Sequence, residues 1–411
     1  GSSGSGEGGV GVKGGEEWKE EEAEEGVVWR QTFETGPTEA THIRHLRIPY
    51  GREGEEVRFK LEVRVSGELK RGSLPISMYI RRELDRNSLA NPPPVIGTAL
   101  VYSVTWNVDE TFPPDTIPRG HIDELLEQGR DAHVIAIGLQ EVGFSATRVL
   151  LNATGSKASH WERAIQAALE KAGSAFSPVC SYGLSGVWMV IFVRKYLYSL
   201  VRAVKVHRSL VGLSAKGNSK GAVGIAFKVC QTRFCFLNAH LSAHQENVLD
   251  RNEDFRKIVH SFVAASGRSI YDYDVTVWMG DLNYRIDLSN EEVRRMAAAM
   301  ELVPLYEKDQ LRAAIEDFQA FDSFHEADIM FPPTFKYDPG THNYDTSAKN
   351  RIPAWCDRVL WHGDSAIAPL SYHSFRFTNS DHRPVGLLLR VPLVERATPV
   401  SEEGDLSRLY T

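Results

Sequence analysis

From Gly97 onward, short apolar runs with strand character alternate with segments whose apolar residues recur every three to four positions. The runs predict strands at Leu100–Trp106, Val134–Leu139, Val187–Val193, Gly221–Val229, Phe234–His240, Val275–Met279, Asp357–Trp361 and Val385–Val391. The helical spacing predicts helices at His121–Gln128, Trp161–Ala172, Gln245–Ala265, Glu291–Met300 and Asp309–Phe318. Hairpin-like pairs such as 221–240 break a regular βαβ alternation. The pattern therefore points to a two-sheet α/β sandwich with outer helices rather than a doubly wound sheet. Upstream the rhythm changes. VRFKLEVRV (Val57–Val65) alternates apolar and charged residues as a half-exposed strand does, and Ile43–Ile48 and Ile76–Ile80 read as further strands. Residues 27–91 thus form a small β-rich accessory segment, and Pro92–Pro94 is a stiff linker. Residues 1–26, opening on the expression-tag remnant GSSGSG and continuing Gly- and Glu-rich, read as a disordered acidic leader, and 394–411 as a flexible tail.

Composition narrows the function classes. The 411 residues are 42% hydrophobic, enough for one large catalytic domain over 97–393 plus something small. No run of 18 apolar residues suggests a membrane span. The net charge of −7 offers no global basic footprint for nucleic acid, although much of the acidity sits in Glu16–Glu25 and local basic patches remain possible. The four cysteines suit a reducing compartment, and none has zinc-ligand spacing to further ligands. Cys230 and Cys235 flank Gln231–Phe234, which reads as a hairpin turn. The sequon Asn152–Thr154 is accidental in a cytosolic protein.

Seven polar residues, Asn107, Glu141, His240, Asp281, Asn283, Asp357 and His382, stand at or just beyond ends of the apolar strands. Singly, Asn and Asp there cap and turn the chain. Together they suit one cleft, because strand ends of a layered α/β protein converge on a rim. Glu141 with Asn107 makes an oxygen-only pair suited to Mg²⁺, which takes few protein ligands. Asp281 and Asn283, two apart, point to one side of an extended chain. The carboxylate would take a proton from water while the amide fixes the attacking oxygen. Asp357 and His382 would form a carboxylate–imidazole pair, favouring a cation beside a phosphate. In HLSAH, His240 ends a strand and His244 starts the next helix; no glutamate follows to suit helical zinc.

Five segments carry all of these but His240, in order: TWNVDE (Thr105–Glu110), GLQEVGF (Gly138–Phe144), WMGDLNYR (Trp278–Arg285), PPTFKYDPGTHNYDTSAKNRIPAWCDRVLW (Pro332–Trp361) and SDHRPV (Ser380–Val385). Over roughly Gly97 to Leu393 they resemble the inositol polyphosphate 5-phosphatase family, whose core is similar to apurinic endonucleases and DNase I. The resemblance implies a four-layer α/β sandwich, two packed mixed β-sheets flanked by helices. It implies Mg²⁺ at Glu141 and Asn107, Asp281 as general base with Asn283 as its orienter, and His382 and His240 on the scissile phosphate, with Asp381 near the metal site's water. It implies that Lys336, Lys349 and Arg351 hold the 4-phosphate, with Tyr337 and Tyr344 lining that pocket or packing under it. KGNSKGAV (Lys216–Val223) resembles the family's Gly-Asn-Lys-Gly segment, but Ser219 interrupts it before Lys220, a candidate phosphate contact. Asp109 departs from the family's usual Asn.

The expected activity is Mg²⁺-dependent hydrolysis of the 5-phosphate of phosphoinositides or soluble inositol polyphosphates, by a cytoplasmic protein peripherally associated with membranes and taking no nucleic acid. The alternatives are a catalytically weak phosphoinositide-binding scaffold and a nuclease on the same fold. Val149–Leu151 is the candidate bilayer contact or a buried helix turn.

Overall fold

The computed structural model describes residues 95–110, 120–142, 155–171, 173, 176–213 and 219–394, with short strands at 19–23, 26–30, 63–65 and 68–70. The chain divides into two compact units, Gly1–Pro92 and Pro93–Thr411.

In the first unit β1 (Lys19–Ala23) pairs antiparallel with β2 (Gly26–Arg30), and β3 (Val63–Val65) with β4 (Glu68–Lys70). The first hairpin includes residues 19–23 of the stretch read as a disordered acidic leader. Val27, Val28 and Trp29 are strong strand formers, and a two-residue connection lets them recruit the glutamate run, with Glu21 opposite Val28. Ile43–Ile48, Ile76–Ile80, most of Val57–Val65, the prolines 92–94 and residues 395–411 lie outside the described residues.

The second unit carries β5 (Val95–Asn107), β6 (Val134–Gln140), β7 (Phe176–Leu184), β8 (Val187–Arg194), β9 (Val201–Leu213), β10 (Ser219–Val229), β11 (Thr232–His240), β12 (Val275–Asp281), β13 (Asp357–Gly363), β14 (Ala368–Ser374) and β15 (Val385–Val394). One mixed sheet has the order β14-β15-β5-β6-β8-β7, the other β13-β12-β11-β10-β9. Only the β5–β6 and β11–β12 pairs are parallel. Every strand expected from the apolar runs is present, its ends shifted by a few residues.

The layering follows from period-two alternation within those runs. In β8, Val187, Met189, Ile191 and Val193 enter the core between the sheets, while Trp188, Val190 and Phe192 enter a second core on the outer face. In β11, Phe234 and Phe236 face the other sheet, and Cys235 and Leu237 face the helices outside. A strand covered on both faces is apolar at every position, which is why these strands stand out as continuous runs.

Helix α2 (Gly155–Lys171) covers the six-stranded sheet with Trp161, Ile165 and Leu169, joined by Leu125 of α1 (His121–Glu127). The short α3 (Lys195–Tyr198) follows β8. Helix α4 (Val248–Ser266) covers the five-stranded sheet with Phe255, Ile258 and Phe262. Its start at Val248 leaves His244, expected to begin the helix, exposed in the preceding loop with φ 82°. Helices α5 (Asn290–Ala298), α6 (Leu302–Tyr306) and α7 (Gln310–Glu316) follow. Ser289 and Glu292 close a capping box on α5, and Asp309 caps α7 through the Arg312 N–H. The β10–β11 turn is shorter than expected. Cys230 and Gln231 alone form it, Cys230 at φ 55°, so Cys235 lies inside a strand. All four cysteines are free.

A buried polar pin joins the sheets. Gln140 of β6 donates to Asn238 Oδ1 of β11 at 2.6 Å, and Asn238 returns bonds to the carbonyls of Leu139 (3.0 Å) and Trp188 (2.9 Å). A Cβ at Gly138 would stand 2.6 Å from Asn238 Cγ, so this close approach needs glycine. The pin lies one residue before Glu141 and two before His240, and so sets the relation between the two halves of the site described next.

Candidate active site

Register brings the polar strand ends together. Asn107 at the end of β5 lies opposite Gln140, whose successor is Glu141; His240 lies opposite Asp281, and Asp281 opposite Asp357. The last segment is tied in by Ser380, which donates to the Asn107 carbonyl (2.7 Å), and by Trp106 Nε1, which donates to the His382 carbonyl (3.2 Å). Two of the residues take up left-handed backbone, Glu141 at φ 58° and Asn283 at φ 57°, a conformation that non-glycine residues adopt rarely and mostly where neighbours enforce it.

Asp281 is the hub and is almost fully buried. Its Oδ2 accepts from Asn107 Nδ2 at 3.0 Å and lies 3.3 Å from His240 Nε2 and 3.7 Å from His382 Nε2. Its Oδ1 accepts the Asn283 N–H at 3.1 Å. Lys220 Nζ contacts His240 Nε2, so Lys220 joins the same cluster despite the Ser219 interruption. On the far side Asp357 accepts from Thr334 Oγ1 (2.7 Å) and holds His382 Nδ1 at 2.9 Å. Lys336 pairs with Asp381, whose Oδ1 stands 3.9 Å from His382 Nε2.

Burial opposes the charge on His382, but the Asp357 and Asp281 carboxylates outweigh it and push the imidazole up to about 10. Burial likewise opposes ionisation of Asp281, and the cations around it, His382 foremost, hold its carboxyl well below the usual range. His240 is lowered, by burial and then by Lys220, and Lys220 is lowered by burial. The site is therefore a buried carboxylate facing one imidazolium and one neutral imidazole.

Glu141 and Asn107 present a hard, oxygen-bearing set at the open side of this cluster. Glu141 Oε1 accepts from Asn107 Nδ2 at 3.2 Å and lies 3.8 Å from His240 Nε2, with the glutamate side chain 23% exposed. Asn107 turns its nitrogen, not its oxygen, toward Glu141, because its Oδ1 accepts the Asp109 N–H at 3.1 Å; that oxygen keeps one lone pair. The donors fit a hard divalent cation with most of its ligands supplied by water. Asp281, Asp357 and His382 also bring ligand-type atoms within 4.8 Å of one another, but a protonated, Asp357-bound imidazole offers no lone pair.

Two further segments flank the cluster. Asp338 and Asp345, which precede Lys349 and Arg351 in sequence, do not pair with them. Asp345 accepts the Ser347 and Arg351 N–H groups (3.0 and 2.8 Å), and Asp338 accepts from Thr346 Oγ1 (2.7 Å). Arg294 adds bonds to the Asp345 carbonyl (2.7 Å) and Asn350 Oδ1 (3.0 Å). Neither Lys349 nor Arg351 has an ion pair among the described residues, while their backbone is held from several sides. Tyr337 is buried, with its hydroxyl donating to the Pro333 carbonyl (2.9 Å) and its ring against the Arg383 guanidinium.

Residues without an assigned role in the sequence complete the cluster. Arg285 donates to Asn283 Oδ1 (2.5 Å) and to the Asn283 carbonyl (3.0 Å), and its guanidinium lies 4.6 Å from the Phe335 ring centre. Phe335 in turn packs 4.5 Å from the His382 ring. Thr334 orients Asp357. Their proximity to the motifs was visible; their contacts depend on residues 334–337 threading between Ala354 and His382. Lys216–Asn218, Val149–Leu151 and the sequon lie outside the described residues.

The family model described as endonuclease/exonuclease/phosphatase family 2 matches residues 104–388. Phosphatidylinositol 4,5-bisphosphate 5-phosphatase INP51 of Saccharomyces cerevisiae is 37% identical over 74% of this chain and 32% of its own length. Inositol-1,4,5-trisphosphate 5-phosphatase 1 of Schizosaccharomyces pombe is 36% identical over 62% of this chain and 24% of its own. The chain thus spans about a third or less of these relatives. The inositol polyphosphate 5-phosphatase domain of spsynaptojanin, solved with inositol (1,4)-bisphosphate and calcium ion, superposes with TM-score 0.64 at 31% identity, over 78% of this chain and 92% of that one. With the family model covering most of the chain and the fold superposing on a solved 5-phosphatase domain, the chain belongs to endonuclease/exonuclease/phosphatase family 2, in its inositol polyphosphate 5-phosphatase branch.

Proposed function

We propose that the unit Pro93–Thr411 hydrolyses the 5-phosphate of phosphoinositides and soluble inositol polyphosphates, with Mg²⁺ as cofactor. The observation that carries the reading is the buried Asp281 carboxylate 3.7 Å from an Asp357-bound His382. Base and phosphate-binding cation then face one small space. Asp281 takes a proton from the attacking water. Asn283, its oxygen held by Arg285 and one amide hydrogen by the Leu241 carbonyl (3.1 Å), keeps a second amide hydrogen to orient that water. The new P–O bond forms as the bond to the inositol 5-oxygen breaks, while His382 and His240 bind the phosphoryl oxygens. Glu141 with Asn107 would hold the Mg²⁺, which when bound would supply neutralisation of the charge building on the phosphoryl group.

Phosphate release assayed over a panel of lipid and soluble substrates tests the reading; absence of release from every 5-phosphate in the panel would overturn it. Chelation is expected to abolish release and Mg²⁺ to restore it, with Glu141→Gln needing far more Mg²⁺. Full activity in excess EDTA would remove the metal from the mechanism.

The free cations Lys349 and Arg351, with Lys336, support recognition of a 4-phosphate. Each charge-assisted contact contributes about 1.5–3 kcal/mol, so Lys349→Ala or Arg351→Ala is expected to lower kcat/KM roughly 10- to 150-fold on substrates carrying both phosphates. Substrates without the 4-phosphate should change much less. Equal losses on both classes would assign these cations to the scissile phosphate or to the fold. Among the described residues no helix is long and apolar enough to cross a membrane, and the same proposal includes peripheral contact of a cytoplasmic protein with the bilayer that carries its lipid substrate.

A further inference from the structure

A cavity of ≈ 530 Å³ lies away from the catalytic cluster. It lies between β9, α4 and the β7–β8 turn, three elements that only the tertiary fold brings together. Its polar lining is Arg208, Lys257 and the hydroxyls of Ser185, Ser209 and Ser261, beside Leu210, and it contains no carboxylate. Arg208 has no ion pair among the described residues. Lys257 has only Glu253 at 4.0 Å, and that carboxylate is held more closely by Arg256, at 3.0 Å. Ser209 is 9% exposed, and the Ser261 hydroxyl lies 3.5 Å from the Arg208 carbonyl. Two weakly paired cations and three hydroxyls thus line one cavity that holds no carboxylate.

The cavity also opens on the catalytic rim. Leu210 pairs with Gly221, which pairs with His240, so it stands two strands, or about 10 Å, from the site. On its other side Gly186, next to Ser185, accepts the N–H of Val142, the residue after Glu141, at 2.9 Å.

We propose that this pocket is a second anion site, which takes the phosphate of an anionic phospholipid headgroup and holds the catalytic rim against the membrane. The cations and hydroxyls match phosphate oxygens, and Leu210, more than half exposed, lies against the apolar part of the lipid. The inference rests on the proposed function for its purpose only, since its test reads binding and not turnover.

The test is partitioning of the full chain onto phosphatidylcholine vesicles with and without phosphatidylserine. Each Lys or Arg near an anionic surface contributes about 1 kcal/mol, roughly fivefold. The double variant Arg208→Gln, Lys257→Gln is therefore expected to lose roughly 25-fold in partitioning to the anionic vesicles. The control Lys195→Gln, Lys228→Gln removes equal charge at the opposite end of the sheets and should leave partitioning unchanged. Hydrolysis of soluble inositol polyphosphate should be the same in all three proteins. Displacement by soluble glycerophosphoserine but not by inorganic phosphate would identify the whole headgroup as the recognised unit, and displacement by both would identify the phosphate. Partitioning unaffected in the pocket variant, an equal fall in the control, or a loss of soluble turnover in the pocket variant would each overturn the proposal.

Discussion

Asp281→Asn is expected to lower turnover by about 10²–10⁴-fold, the range of a lost general base, while the protein stays folded. The substitution keeps the shape of a side chain surrounded by Asn107, His240, Asn283 and His382. It removes the capacity to accept a proton and, with it, the negative charge that faces His382. Because neighbouring cations hold this carboxyl well below its ordinary range, the base is already ionised throughout the mildly acidic and neutral range. An acid limb in the wild-type rate profile should accordingly not belong to Asp281. Folding is checked by thermal melting and turnover by phosphate release. A folded variant with near-normal turnover would remove Asp281 from the chemistry.

His382→Gln is expected to cost about 10²–10³-fold in kcat, as loss of one pre-organised electrostatic contact to the reacting group does. The accompanying signature is in pH. Asp357 and Asp281 raise the His382 pKa to about 10 against an ordinary 6.5. The imidazolium is thus retained through neutral pH and lost as pH rises through about 10. Wild-type kcat should show no fall near 6.5 attributable to this group and an alkaline fall toward 10. Asp357→Asn removes the first of the two anions and should move that fall to lower pH. An alkaline limb that stays in place in Asp357→Asn would show that another group sets it.

Among the sequence's expectations, those resting on burial of both faces of a strand were the most legible. β5, β6, β8, β10, β11, β12, β13 and β15 stand out as apolar runs, and of these only β13 lies at a sheet edge. In the second unit the strands not expected from the sequence, β7, β9 and β14, are the other three edges of its two sheets. β9 exposes Arg202, Val204, Lys205 and Val206 in near succession, and β14 has no fully buried residue. An edge strand has neighbours on one side and solvent over much of its surface, so its residues need not be apolar. Short helices such as α6 lack the length for a readable period.

What the sequence determined by itself was the chemistry available: which acids, amides, imidazoles and cations occur at which strand ends, and in what order. Tertiary structure decided their partners. Among the described residues Lys349 and Arg351 are left without ion pairs, while Asp338 and Asp345 accept from backbone N–H groups instead. Tyr337 is turned inward under Arg383, while Lys220 reaches His240 across two adjacent strands. Arg285 comes to hold Asn283, and Arg208 and Lys257, 49 positions apart in the chain, come to line one cavity. Hydrophobic periodicity is a local property and survives in one dimension. Hydrogen bonding and charge compensation belong to pairs far apart in the chain, and are settled only when two sheets close on each other and each buried polar group finds its partner.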